Sequence, residues 1–114
     1  MPRTITEADW KLLRRIHPLA LERYCERTLA EIERVTNNSA ESAHQRYLEI
    51  FKIIEQRDRE IASIFNDPKR SNALTMLARI RGAGMLTEDE FSRLSPETRS
   101  AVELLLGAGS ESSE

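Results

Sequence analysis

The longest amphipathic pattern lies in the middle of the chain. Ala43, Tyr47, Ile50, Ile54, Ile61 and Ile64 follow one another in alternating four- and three-residue steps, and Arg57 fills the one step that lacks an apolar residue. One residue round, His44, Leu48, Phe51, Ala62 and Phe65 form a second row, broken by Glu55 and Asp58. Such steps bring side chains to one face of an α-helix. Two adjacent rows make a face wider than a two-stranded coiled coil needs. The pattern predicts a helix over about residues 39–65 that packs against more than one neighbour, as the central element of a bundle.

The remaining elements follow from their start and stop signals. Thr6 reads as an N-cap, with Ile5 and Trp10 at the positions of a hydrophobic staple and Asp9 where a capping box carries Glu or Gln. A first helix is expected over about residues 7–16, with Trp10, Leu13 and Ile16 or His17 inward. Pro18 lacks a backbone donor and disfavours helix at His17, so a kink or break belongs there. A second helix, about residues 18–36, would bury Leu21, Cys25, Thr28, Ile32 and Val35, flanked by Tyr24 and Leu29. Asn37-Asn38-Ser39 is a turn, and Asn38 with Glu41 offers a capping pair. The short connection makes the flanking helices an antiparallel αα-hairpin over about residues 18–66.

Asp67 and Pro68 have the character of a cap and first helical position, predicting a fourth helix over about residues 68–81 that ends at Gly82-Ala83-Gly84. Thr87 and Glu90 form a capping box, and Leu86 and Phe91 a second staple. Ser95-Pro96 caps a last helix expected to bury Val102, Leu105 and Leu106. Residues 107–114 are small, polar and acidic, the composition of a disordered tail. The expectation is one all-α domain over residues 1–106, a bundle of five or six helices built on the hairpin, with the short C-terminal helices folded over one side of it.

Composition supports that fold class and narrows function only by exclusion. Aromatic residues make up 5% of the 114 positions and charged residues 32%, which suits helix-on-helix packing. The formal net charge is −2 with both signs interspersed, so no bulk attraction to nucleic acid or an anionic membrane is expected. The single cysteine, Cys25, fits a reducing cytoplasm. No stretch has the length and apolarity of a membrane span, and no secretory signal is evident, so the cytoplasm is the default location.

Candidate chemistry is sparse. Glu41 and His44 have the Glu-x-x-His spacing that sets two metal ligands on adjacent turns of one helix, but di-iron bundles need two such pairs and further carboxylates. Cys25 with His17 or His44 could act as nucleophile and base, yet Cys25 falls on an apolar row where a small thiol packs well. Lys69 and Arg70 at the start of the fourth helix, with Arg79 and Arg81 further along it, could contact an anion or nucleic acid. The last helix would be the reader of a trihelical DNA-binding unit, but it offers only Arg99 where several base-contacting side chains are needed. Arg57 on an apolar row would meet a carboxylate of another helix or subunit and fix register. No cofactor fingerprint is present.

The segment from Met76 to Phe91 resembles the short C-terminal helical hairpins of the SHOCT type, which are thought to mediate interaction. It runs from a leucine-containing helix through Gly82-Ala83-Gly84 to Leu86-Thr87-Glu88-Asp89-Glu90-Phe91. The likeness covers about 16 residues and consists of a helix stop followed by a capping box, and Ser95-Pro96 departs from the longer second helix of that family; it is local convergence. The sequence thus points to a bacterial cytoplasmic protein that is not an enzyme and serves as an interaction, adaptor or self-associating domain. A homodimer is expected, with Tyr47, Ile50, Phe51, Ile54, Arg57 and Ile61 at the interface. A nucleic-acid-associated regulator using Arg70, Arg79 and Arg81, and a metal- or ligand-binding bundle at Glu41 and His44, are the alternatives.

Overall fold

The computed structural model describes residues 5–111. Over these the chain is all-α, with α1 (Glu7–Thr36), α2 (Ala43–Phe65), α3 (Ala73–Gly82), α4 (Glu88–Ser92), α5 (Pro96–Glu111) and a 3₁₀ turn, Arg70–Asn72, leading into α3. Thr6 caps α1 as expected, its hydroxyl accepting the Asp9 N–H at 3.1 Å. Ile5 and Trp10 pack against the core.

Of the kink or break expected at Pro18, the break does not occur, and α1 runs through it as one helix. Proline there costs about 3 kcal/mol through the lost bond to the preceding turn. Leu13 and Ile16 before it and Ala20 and Tyr24 after it are all buried, so the same apolar face continues across Pro18 and outweighs that cost. His17 Nε2 donates to the carbonyl of Phe65 at 2.7 Å, tying this part of α1 to the end of α2.

α2 starts at Ala43, four residues later than the sequence suggests. Asn38 spends its side chain within the turn, accepting from the Ala40 N–H at 3.2 Å, and Ser42 is the cap, accepting from Gln45 at 3.0 Å. Contacts between α1 and α2 pair Thr36 with Arg46, Glu31 with Arg57, Tyr24 with Glu60 and His17 with Phe65, so the two helices run antiparallel.

α3 also begins late. Asp67 has φ +55°, and the Asn72 side chain holds residues 67–72 in a turn by accepting from the Lys69 N–H at 2.9 Å and donating to the Asp67 carbonyl at 3.1 Å. The helix stop matches its glycine signal. Gly84 takes φ +76°, its N–H bonds the Arg81 carbonyl at 3.0 Å, and the Met85 N–H reaches the Ile80 carbonyl at 3.1 Å, a Schellman arrangement. The Thr87–Glu90 capping box forms with both bonds at 3.0 Å, and Leu86 and Phe91 are buried beside it.

Three features depart from the expected packing. α2 is not the centre of the bundle, for Phe65 is its one buried residue. The core instead joins the first two-thirds of α1 to Ala73, Met76, Leu77 and Ile80 of α3, with Leu86, Phe91, Leu94 and Val102 closing it. Leu105 is exposed, and α5 continues through Gly107 to Glu111 where a tail was expected; residues 112–114 lie outside the described residues. Length explains the first departure. At about 1.5 Å per residue, α1 is roughly 45 Å long and α3 only about 15 Å, so the C-terminal helices cover one end of the hairpin and leave the other as an arm. The molecule measures 54 × 34 × 24 Å accordingly.

A carboxylate fastens the two ends of the chain together. Asp9, 3% exposed, accepts from the Ser95 N–H at 3.1 Å, the Ser95 hydroxyl at 2.7 Å and the Thr98 hydroxyl at 2.6 Å. Ser95 is itself the cap of α5, accepting the Thr98 N–H at 3.3 Å. Burial pushes the Asp9 carboxyl upward, but the hydrogen bonds from Thr98, Ser95 and Thr6 together outweigh it and hold the group below the usual aspartate range.

Candidate interaction surface

The arm, formed by the last turns of α1 and the first two-thirds of α2, has two unlike sides. Along the contact itself run Ile50, Ile53, Arg57, Glu60 and Ile64 of α2, all half-buried, in the four- and three-residue steps of a helix–helix seam. Arg57 belongs to that seam and answers a carboxylate of the neighbouring helix, as its position predicts. Its Nε and Nη2 donate to the two oxygens of Glu31, each at 3.1 Å, and Nη1 donates to Glu60 at 3.2 Å. The partner is within the same chain.

Tyr24 extends this network by donating its hydroxyl to Glu60. Burial, with the adjoining Glu60 carboxylate, pushes the Tyr24 phenol up to about 12. The tyrosine and Arg57 in turn hold Glu60 below the ordinary glutamate range, and the bond to Glu31 raises Arg57 further. Arg27, Glu31, Arg34, Arg57 and Glu60 line one side of the hairpin, and Arg27 donates to the Ala83 carbonyl at 3.0 Å. This is the charged side, on which α3 also sits: Tyr24, Arg27, Glu60 and Ser63 share a hollow with Arg79 and Ala83.

The other side is apolar. Cys25, Leu29 and Ile32 of α1 face Ile54 and Ile61 of α2 across a groove of about 350 Å³, with Thr28, Arg57 and Asp58 at its margin. Tyr47 and Phe51 continue the Ile54 row toward the hairpin turn. Leu29 is 64% exposed, Tyr47 66%, Phe51 55% and Ile54 52%; Leu29 and Ile54 line the groove, and Phe51 borders a second hollow with Gln45, Leu48, Glu49 and Lys52. Scattered exposed leucines are ordinary, but four large apolar side chains this exposed on one two-helix arm are not.

Of the residues singled out in the sequence, Tyr47, Phe51 and Ile54 lie together on this exposed side, while Ile50, Arg57 and Ile61 are half-buried in or beside the seam. Leu29 and Ile32, read as inward, instead line the groove. Their spacing with Cys25 and Thr36, in steps of four, three and four, was the signal that α1 also carries a second seam.

The other candidates are not brought together. Glu41 precedes the cap of α2 and His44 lies in its first turn, both exposed, so the on-helix spacing that would align two ligands is lost. Among the described residues no group of three or more His, Cys, Asp or Glu side chains could hold a metal ion. Lys69 pairs with Asp67 at 3.1 Å, Arg70 with Glu7 at 2.7 Å, and Arg81 with Glu88 at 3.0 Å while lying 3.9 Å above the Phe91 ring. Arg79 donates to the Ser63 carbonyl at 2.8 Å. His17, bonded to Phe65, is two helical turns from Cys25. Among the described residues no helix is long and apolar enough to cross a membrane. No protein family, curated protein or solved structure matches the chain.

Proposed function

We propose that this chain is a protein-interaction module of the cytoplasm, without catalytic chemistry of its own, that binds through the apolar side of its hairpin arm. One observation supports the reading: Leu29 and Ile54 stand exposed across one groove, and Tyr47 and Phe51 stand exposed further along the same helix, on a part of the fold that the C-terminal helices do not reach. The rest of the chain serves to hold that arm. Arg57 and Glu31 set the register of the two helices, and the α3–α5 layer anchors their base. The free Cys25 fits a reducing compartment.

The test is photo-crosslinking in cells that express the chain, with a benzophenone amino acid in place of Phe51 and, as control, in place of Arg93 on the distant α4 side. A protein adduct from position 51 alone is expected. Equal or no labelling from position 51 would refute the reading.

A further inference from the structure

The two helices of the arm each carry a seam pointing to the same open side. On α2 it is Tyr47, Phe51, Ile54, Asp58 and Ile61, in steps of four, three, four and three; on α1 it is Cys25, Leu29, Ile32 and Thr36. The groove between Cys25, Leu29, Ile32 and Ile54, Ile61 has the width of one helix, but the α2 seam runs on past it through exposed Tyr47 and Phe51. Two heptad-spaced seams side by side over that width are one half of a four-helix bundle, whose core is completed by a second pair of helices. Resting on the interaction reading above, we infer that the occupant is a second copy of this chain, docked hairpin on hairpin so that the four arm helices share one core.

Size supports a hairpin as the occupant. Residues 43–61 span roughly 28 Å and two helices side by side roughly 19 Å, giving about 500 Å² in projection before side-chain relief is counted. That approaches the ~800 Å² per partner of a standard interface, whereas a single helix would cover half the width. The opposite side of the hairpin is closed to such docking by its charges and by α3.

Charge fixes the direction. Asp58 is the one charged residue of the α2 seam. If α2 ran parallel to its copy, two Asp58 carboxylates would meet at the same level of the core, and like charges there are costly. A two-fold axis across the helices makes α2 antiparallel to its copy. Centred between Phe51 and Ile54, it sets each Phe51 against Ile54 of the other chain. Each Asp58 then lies at the level of the Tyr47 hydroxyl of the other chain, a donor for it. The dimer is thus an antiparallel four-helix bundle with Phe51 and Ile54 at its middle.

Sedimentation equilibrium at micromolar concentration should give twice the chain mass, and the double variant F51E/I54E should give the single mass with unchanged helical circular dichroism. Glu103→Lys, on exposed α5, should leave the dimer intact. Register is read by mixing C25S/F51C with C25S/I54C chains under mild oxidation, where the mixed disulfide should exceed either self-disulfide several-fold. A dimer that survives F51E/I54E would overturn the placement. Preferred self-disulfides would overturn the antiparallel register. A monomer whose position 51 crosslinks to a different protein would overturn the second copy and leave the interaction reading standing; a monomer without any crosslink would remove both.

Discussion

Replacing Asp9 with alanine tests the account of how the two ends of the fold are held. The carboxylate takes three hydrogen bonds, from one amide and two hydroxyls, at a site where it is 3% exposed. Hydrogen bonds to a charged group contribute about 1.5–3 kcal/mol each, and removing the charge's own burial cost returns several kcal/mol. The Ser95 hydroxyl can still donate to Thr98, 3.1 Å away, so the Ser95 N–H and the Thr98 hydroxyl proton are the groups left without their acceptor. The net loss works out at about 3 kcal/mol, or a fall in Tm of about 15 °C for a domain of this size. Thermal and urea unfolding followed by circular dichroism would measure it. Asp9 is held below its ordinary range, so its contribution is complete above the unfolded value near 4 and is lost as pH falls through the lowered folded value. The gap between wild type and Asp9→Ala should therefore close on the acid side and stay constant from pH 5 to 8. A loss smaller than about 1 kcal/mol, or a gap that widens on acidification, would refute the reasoning.

Pro18→Ala should stabilise the protein by about 1–3 kcal/mol, measured by urea unfolding, since it restores a helical N–H at an exposed position in the middle of α1. Gly84→Ala should cost about 1 kcal/mol because of its φ of +76°, whereas Gly107→Ala, with open space around its position in α5, should gain about half that; paired thermal melts decide both. Absorbance titration at alkaline pH should show Tyr24 ionising near 12, a step that Tyr24→Phe removes. Because the folded phenol holds its proton more tightly than the unfolded one, wild-type stability should fall as pH rises from 10 to about 12.

The caps were legible in the sequence because their chemistry closes within four or five residues. Thr6 with Asp9, Thr87 with Glu90, Ser95 with Thr98 and Gly84 after Arg81 all form as their spacing implies. Where the reading missed, a residue had a second use that no local pattern records. Asn38 and Asn72 put their side chains into turns and so moved two helix starts downstream. Asp9 occupies the capping-box position of α1, yet its side chain is spent on α5, 86 residues away. Pro18 looks like a break because proline's penalty is local, while the burial of Ile16 and Ala20 that overrides it is tertiary.

The double row in α2 shows what periodicity can and cannot fix. It specifies a face wide enough for two neighbours, but not which row meets which neighbour. The choice is made by charge. The first row carries Arg57, and α1 offers Glu31 opposite it, so Ile50, Arg57 and Ile64 of that row, joined by Ile53 and Glu60, close against α1 with the cation answered twice. The second row carries Glu55 and Asp58, and α1 places Cys25, Leu29 and Ile32 on that side, with no cation among them. Closing the second row against α1 would bury two acids against apolar side chains, at a cost of several kcal/mol per charge. Leu48, Phe51, Glu55 and Asp58 of that row therefore stay open, and Tyr47 and Ile54 of the first row stay in water beside them. The α3–α5 layer is too short to reach them, so no element among the described residues supplies the second neighbour that the pattern calls for; in the dimer inferred above, a second copy would supply it and would bring the Tyr47 hydroxyl to the level of Asp58.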